Sequence, residues 1–111
     1  MGKYTRFTNL EAEVLKGGIV GKTTLSKAAD YTLAAAETEV LVIGITMTAA
    51  SKSAVLGLKD GQAAIVINEG DTNAFTVKNL TADTGTSLAA GKVALVIGST
   101  TANGTAAYVL N

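Results

Sequence analysis

Five short apolar runs dominate the chain after its first third, and each is flanked by residues that turn a backbone. They are VLVIGITMT (Val40–Thr48), AAIVIN (Ala63–Asn68), AFTV (Ala74–Val77), VALVIG (Val93–Gly98) and AAYVL (Ala106–Leu110). Their β-branched content and partial alternation are those of strands. Asp60-Gly61 precedes the second run and Asn103-Gly104 the last, and both dipeptides are hairpin signals. Short strands at roughly ten-residue spacing predict a sandwich or barrel. The expected fold is mainly β: a compact antiparallel β-sandwich or barrel-like domain over residues 28–111. The segment ADYTLAAAETEV competes, because Ala and Glu favour a short helix there.

Residues 1–27 read differently. Tyr4, Phe7, Leu10, Val14 and Leu15 are apolar points scattered among charges. NLEAEVLKGG has the ends of one or two helical turns, with Asn9 as N-cap, Glu11 and Glu13 in the first turn and Gly17 as the stop. So short a helix is marginal alone. The expectation is an irregular N-terminal arm, carrying at most a short helix, that needs a surface to lie on.

GGIVGKTTL (Gly17–Leu25) contains the Gly-Lys-Thr of a phosphate-binding loop. That loop needs a first glycine five residues before Gly21, and Lys16 stands there. No strand is expected before it and no helix after it. The expected role is a glycine-softened joint leading into a strand at Thr23–Leu25.

Composition removes other chemistries. Nine basic and nine acidic residues cancel, which leaves no electrostatic footprint for a general nucleic-acid binder. There is no Cys for a thiolate or a disulfide, and no His as base or ligand. The longest apolar run falls far short of the ~20 residues a spanning helix needs. The polar start MGKYTRFTNLEAEVL is not that of a signal peptide, and Arg6 stands where myristoylation wants Ser or Thr. NEGDTN (Asn68–Asn73) alternates oxygen-bearing side chains but lacks the closing Glu of a calcium loop, so a solvated hairpin turn is expected. Glu37 and Glu39 are expected on a polar turn, not as a catalytic pair. Asn79-Leu80-Thr81 and Asn103-Gly104-Thr105 are glycosylation sequons only in a secretory context. No enzyme activity, cofactor, metal, nucleic acid or membrane is expected.

AAETEVLVIGIT (Ala35–Thr46) and AAGKVALVIGST (Ala89–Thr100) line up as a faint repeat. No period extends it, so a solenoid is not expected.

Ala74–Thr100, AFTVKNLTADTGTSLAAGKVALVIGST, carries Val77, Asn79, Gly85, Thr86, Leu88, Ala90, Gly91, Lys92, Ala94, Leu95 and Val96 in the order V-x-N, turn, G-T-x-L-x-A-G-K-x-A-L-V. This stretch resembles a β-module of small head-fibre and capsid decoration proteins of tailed bacteriophages. It covers about a quarter of the chain. The resemblance implies a structural virion protein made in the bacterial host cytoplasm. Such a protein binds the outer capsid surface through the major capsid protein, as a homotrimer, and stabilises the shell or serves as an attachment base. Many such proteins carry a longer coiled-coil part, and no heptads occur here. With the resemblance, Tyr4, Arg6, Phe7, Leu10, Val14 and Leu15 become the candidate capsid contacts. The alternative is a carbohydrate-binding or adhesin module, for which Tyr31, Phe75 and Tyr108 would have to form an aromatic platform.

Overall fold

A computed structural model describes residues 21–110. The described chain is mainly β, with nine strands and one short 3₁₀ turn (Ala35–Thr38) within the segment where Ala and Glu favour a short helix. The strands are β1 (Lys22–Lys27), β2 (Tyr31–Thr32), β3 (Val42–Met47), β4 (Lys52–Val55), β5 (Ala63–Asn68), β6 (Phe75–Lys78), β7 (Thr86–Leu88), β8 (Val93–Ile97) and β9 (Ala106–Leu110). They form a five-stranded sheet in the order β1-β3-β5-β8-β9 and a four-stranded sheet in the order β2-β4-β6-β7.

The chain alternates between the two sheets from β1 to β6. Each return to a sheet is therefore a crossover made by a strand of the other one. That geometry makes neighbours parallel without any helix. β1, β3 and β5 are parallel, with Lys22, Val42 and Ile65 in line. β2, β4 and β6 are parallel too, with Tyr31, Ala54 and Val77 in line. Aligned residues fall some twenty residues apart, so this half of the domain is coiled like a short solenoid. The mainly β sandwich expected from sequence stands, but its antiparallel pairing is corrected to two mixed sheets. The antiparallel part is the other end: β6–β7, β5–β8 and β8–β9. β1 belongs to the five-stranded sheet, so residues 22–27 are a sheet strand rather than the end of an arm.

The core lies between the sheets. Ile43, Ile45, Met47, Ala64, Val66, Ala94 and Val96 face inward from the larger sheet. Ala54, Phe75, Val77 and Leu88 meet them from the smaller, with Leu33, Leu56 and Leu58 from the connections. The faint repeat dissolves at this level. Its two LVIG stretches align Ile43 with Ile97 and Val42 with Val96, yet Ile43 and Val96 are buried while their counterparts face outward. A one-residue change of phase turns a strand over.

Asp60-Gly61 does make a turn, closed by the Gln62 N–H donating to the Lys59 carbonyl at 3.0 Å. It leads from β4 to β5, in different sheets, and is not a hairpin. Asn103-Gly104 lies in the β8–β9 hairpin as expected, with Asn103 at φ 60°.

Candidate interaction surface

Two asparagines hold the sheets together at opposite ends of β8. Asn68 closes β5 and is fully buried. Its amide nitrogen donates to the Leu88 carbonyl on β7 and to the Asn73 carbonyl, each at 2.9 Å. Its side-chain oxygen accepts from the Gly70 N–H. Asn79 follows β6 and is equally buried. It accepts from the Leu58 N–H at 2.6 Å and donates to the Leu58 and Ser99 carbonyls. An amide has one acceptor and two donor hydrogens, so each satisfies three backbone groups that the sheet ladders leave over. NEGDTN is a solvated turn at Glu69, Asp71 and Thr72, as expected, but it starts from the buried Asn68 and links two different sheets, which corrects the hairpin.

Beside Asn79, Asp83 is buried and accepts from the N–H groups of Asn79, Leu80 and Asn103. Burial pushes its carboxyl up, but the Asn103, Leu80 and Asn79 amides, with Lys78 nearby, outweigh that and hold it below its ordinary 3.8. Asn103 in turn accepts from the Thr84 N–H at 2.7 Å. A hollow of about 130 Å³ lies here, but these side chains are committed to the turns around it. Among the described residues, no buried side-chain polar atom lacks a partner.

The Asp83 network predicts acid sensitivity. A carboxyl with a lowered native pKa stabilises the fold fully above its unfolded value and loses that contribution as pH falls through its native value. The loss therefore lies below about pH 4. Glu37 and Asp60 are lowered as well and act in the same direction. Urea unfolding at pH 7 and pH 3 should show a smaller acid-induced loss in Asp83→Asn than in the parent. Equal losses would assign the acid sensitivity elsewhere.

Lys22, the lysine of the phosphate-loop look-alike, forms an ion pair with Glu69. Glu69 follows β5, and its carboxylate lies over Gly44, where any Cβ would collide with it. With both partners substantially exposed, such a pair contributes less than about 1 kcal/mol. Gly17 and Gly18 lie outside the described residues.

Glu37 closes the 3₁₀ turn by accepting from the Ala34 N–H at 2.8 Å and the Tyr31 hydroxyl at 2.7 Å. Lys27 sits 4.0 Å from the centre of the Tyr31 ring. Phe75 is in the core and Tyr108 is at the far edge of the larger sheet. Tyr31, Phe75 and Tyr108 thus do not share a face.

What the described surface does offer is apolar. Tyr108 (59% exposed), Val109 (44%) and Leu110 (48%) are its exposed large hydrophobic residues, all on the edge strand β9. β9 has no charge, proline or bulge to block strand addition, whereas the opposite edge, β1, carries Lys22 and Lys27. The outward face of the same sheet carries two cross-strand rows. One runs Val42–Ile65–Leu95–Tyr108, the other Gly44–Ile67–Val93–Leu110. The alternating run of a strand would have announced only one apolar face. The nearly continuous apolar runs of β5 and β8 are the sequence signal for a second one.

The capsid-contact candidates Tyr4, Arg6, Phe7, Leu10, Val14 and Leu15 lie outside the described residues. The residues of the phage-module resemblance serve the fold: Val77, Asn79, Leu88, Ala94 and Val96 are buried, and Gly85 and Gly91 take positive φ in turns. Comparison with protein-family models, curated proteins and solved structures gives no match.

Proposed function

We propose that this chain is a structural virion protein that decorates the outer capsid surface of a tailed bacteriophage, stabilising the shell or serving as an attachment base. The observation that carries the reading is the module at residues 74–100, whose resemblance to head-fibre and decoration proteins falls on residues that build the joint between the sheets. The apolar β9 edge supports it, because a protein that works by assembly needs surface left over after folding. The partners are the major capsid protein and further copies of the chain, a homotrimer by analogy with that group. Shell contact is assigned to Tyr4, Arg6, Phe7, Leu10, Val14 and Leu15. The work done is burial of surface, with no catalytic step.

Densitometry of purified particles tests this. The protein should be present in a fixed, simple ratio to the major capsid protein. Absence from particles, or a few copies on each, would overturn it. A truncation that tests the arm has to stop before β1, since removing residues through Lys27 also removes a strand from the larger sheet.

A further inference from the structure

Among the described residues, β9 pairs only with β8 and forms an edge of the larger sheet. The β5–β8 ladder fixes which of its backbone groups point outward. At one end of that ladder the Asn68 N–H donates to the Lys92 carbonyl at 2.9 Å, and at the other the Gly98 N–H donates to the Gln62 carbonyl at 2.8 Å. Hydrogen-bonded and non-hydrogen-bonded positions alternate along an antiparallel pair. Ala94 and Val96 therefore turn their N–H and C=O groups toward β5, while Val93, Leu95 and Ile97 turn theirs toward β9. Their register partners Ala106, Tyr108 and Leu110 bond back to β8. Ala107 and Val109 then point their backbone groups away from the sheet.

Those two residues flank Tyr108, which makes the edge complementary to itself. A second copy, antiparallel about a twofold axis at Tyr108, sets Ala107 opposite the partner's Val109 and Val109 opposite the partner's Ala107. Both are hydrogen-bonded positions, so every outward-pointing group of the two residues finds a partner. Tyr108 meets the partner's Tyr108 at a non-hydrogen-bonded position, where Cα atoms are about 4.5 Å apart and an aromatic pair is favourable. Small residues face large ones on either side, with Ala106 opposite the partner's Leu110. Ala106–Leu110 carries no charge, whereas the other edge, β1, carries Lys22 and Lys27. A head-to-tail pairing of β9 on β1 would lay those lysines along an apolar strand, so like on like is the better match. The contact is small. Five residues at about 3.4 Å each, across a sheet roughly 10 Å thick, give on the order of 200 Å² per copy. A stable interface buries about 800 Å² on each partner. Such a pair is therefore reversible and forms at high protein density.

We propose that two copies of the chain associate reversibly edge to edge through β9, antiparallel about Tyr108, and join their larger sheets into one. This contact is distinct from the threefold association that the phage resemblance implies. It does not rest on the shell-binding reading, so a failed densitometry test would leave it standing.

The chain has no cysteine, so single-cysteine variants of the full-length protein report the register directly. Under mild oxidation Tyr108→Cys should give a disulfide-linked dimer at least tenfold faster than Leu110→Cys. The two copies of position 108 lie within disulfide reach, whereas those of position 110 are offset by four residues, about 14 Å, and lie beyond it. Equal rates would mean random collision, faster linkage at 110 would mean another register, and no linkage at 108 would mean that the edge is covered. Each of these results overturns the proposal. The unsubstituted chain gives an independent readout. Amide hydrogen exchange at Ala107 and Val109 should slow several-fold between dilute and concentrated solution. Exchange at those two amides that does not change with concentration would contradict the pairing.

Discussion

Asn79→Ala should lose roughly 3–5 kcal/mol of folding stability, the largest single effect expected in this protein. The substitution removes no apolar contact of note. It strands the Leu58 N–H and the carbonyls of Leu58 and Ser99, which the fully buried Asn79 amide serves. A buried backbone group left unpaired costs about 1–3 kcal/mol, and the truncated side chain adds a small cavity. Asn79→Asp tests the same point differently: it keeps the volume and the acceptor but removes both donor hydrogens, so it should fail almost as badly. For a domain this size each kcal/mol is worth about 4–8 °C in Tm, so the variant should melt some 15 °C or more below the parent or not fold at all. Urea denaturation measures the difference. A loss under about 1 kcal/mol would mean that water or neighbouring groups satisfy the site once the amide is gone. Asn68→Ala should behave alike, since Asn68 performs the same task at the other end of β8.

Gly85→Ala should cost roughly 3 kcal/mol, from two separable causes. Gly85 has φ +80°, which penalises any L side chain by about 1–2 kcal/mol. A Cβ there would also stand 2.7 Å from the Val77 carbonyl oxygen and 2.5 Å from Thr76 Cγ2. The carbonyl belongs to β6 and cannot rotate away, so the turn into β7 must shift, at about 1–3 kcal/mol. Gly57→Ala is the control. Gly57 has φ +70° and nothing within 4 Å of its would-be Cβ, so it should show only the conformational part. The difference between the two variants, read from their unfolding midpoints, isolates the collision. Equal losses would show that β6 and β7 tolerate the shift and that the turn is looser than its geometry implies.

These two residues also mark how far the phage-module resemblance reaches. Asn79 and Gly85 are both part of its pattern, and both do structural work in the interior. Residues that the fold itself requires do not by themselves specify a role. Copy number on particles therefore remains the decisive measurement for the proposed function.

Much of the larger sheet was legible in the residues. β5 and β9 have the bounds their apolar runs suggested, and β3, β6 and β8 differ by a residue or two at their ends. Long β-branched runs are strands because they bury well on a pleated surface wherever that surface lies. The smaller sheet was mostly illegible. β2, β4 and β7 are YT, KSAV and TSL, too short and too polar to show any period. The turn at Asp60-Gly61 was evident, but its service as a bridge between sheets was not, because a dipeptide specifies a bend and not the partner of the strand that follows.

Sequence by itself determined that the chain is β-rich, where its main strands run, and that Lys22 lacks the glycine frame of a phosphate loop. Tertiary structure decided the rest. Pairing direction depends on which sheet the intervening strand joins. The opposite orientation of the two LVIG stretches depends on phase relative to a core assembled from distant residues. The burial of Asn68 and Asn79 depends on carbonyls that other strands bring to them. Each of these is a relation between segments far apart in the chain, and local residue chemistry has no way to express it.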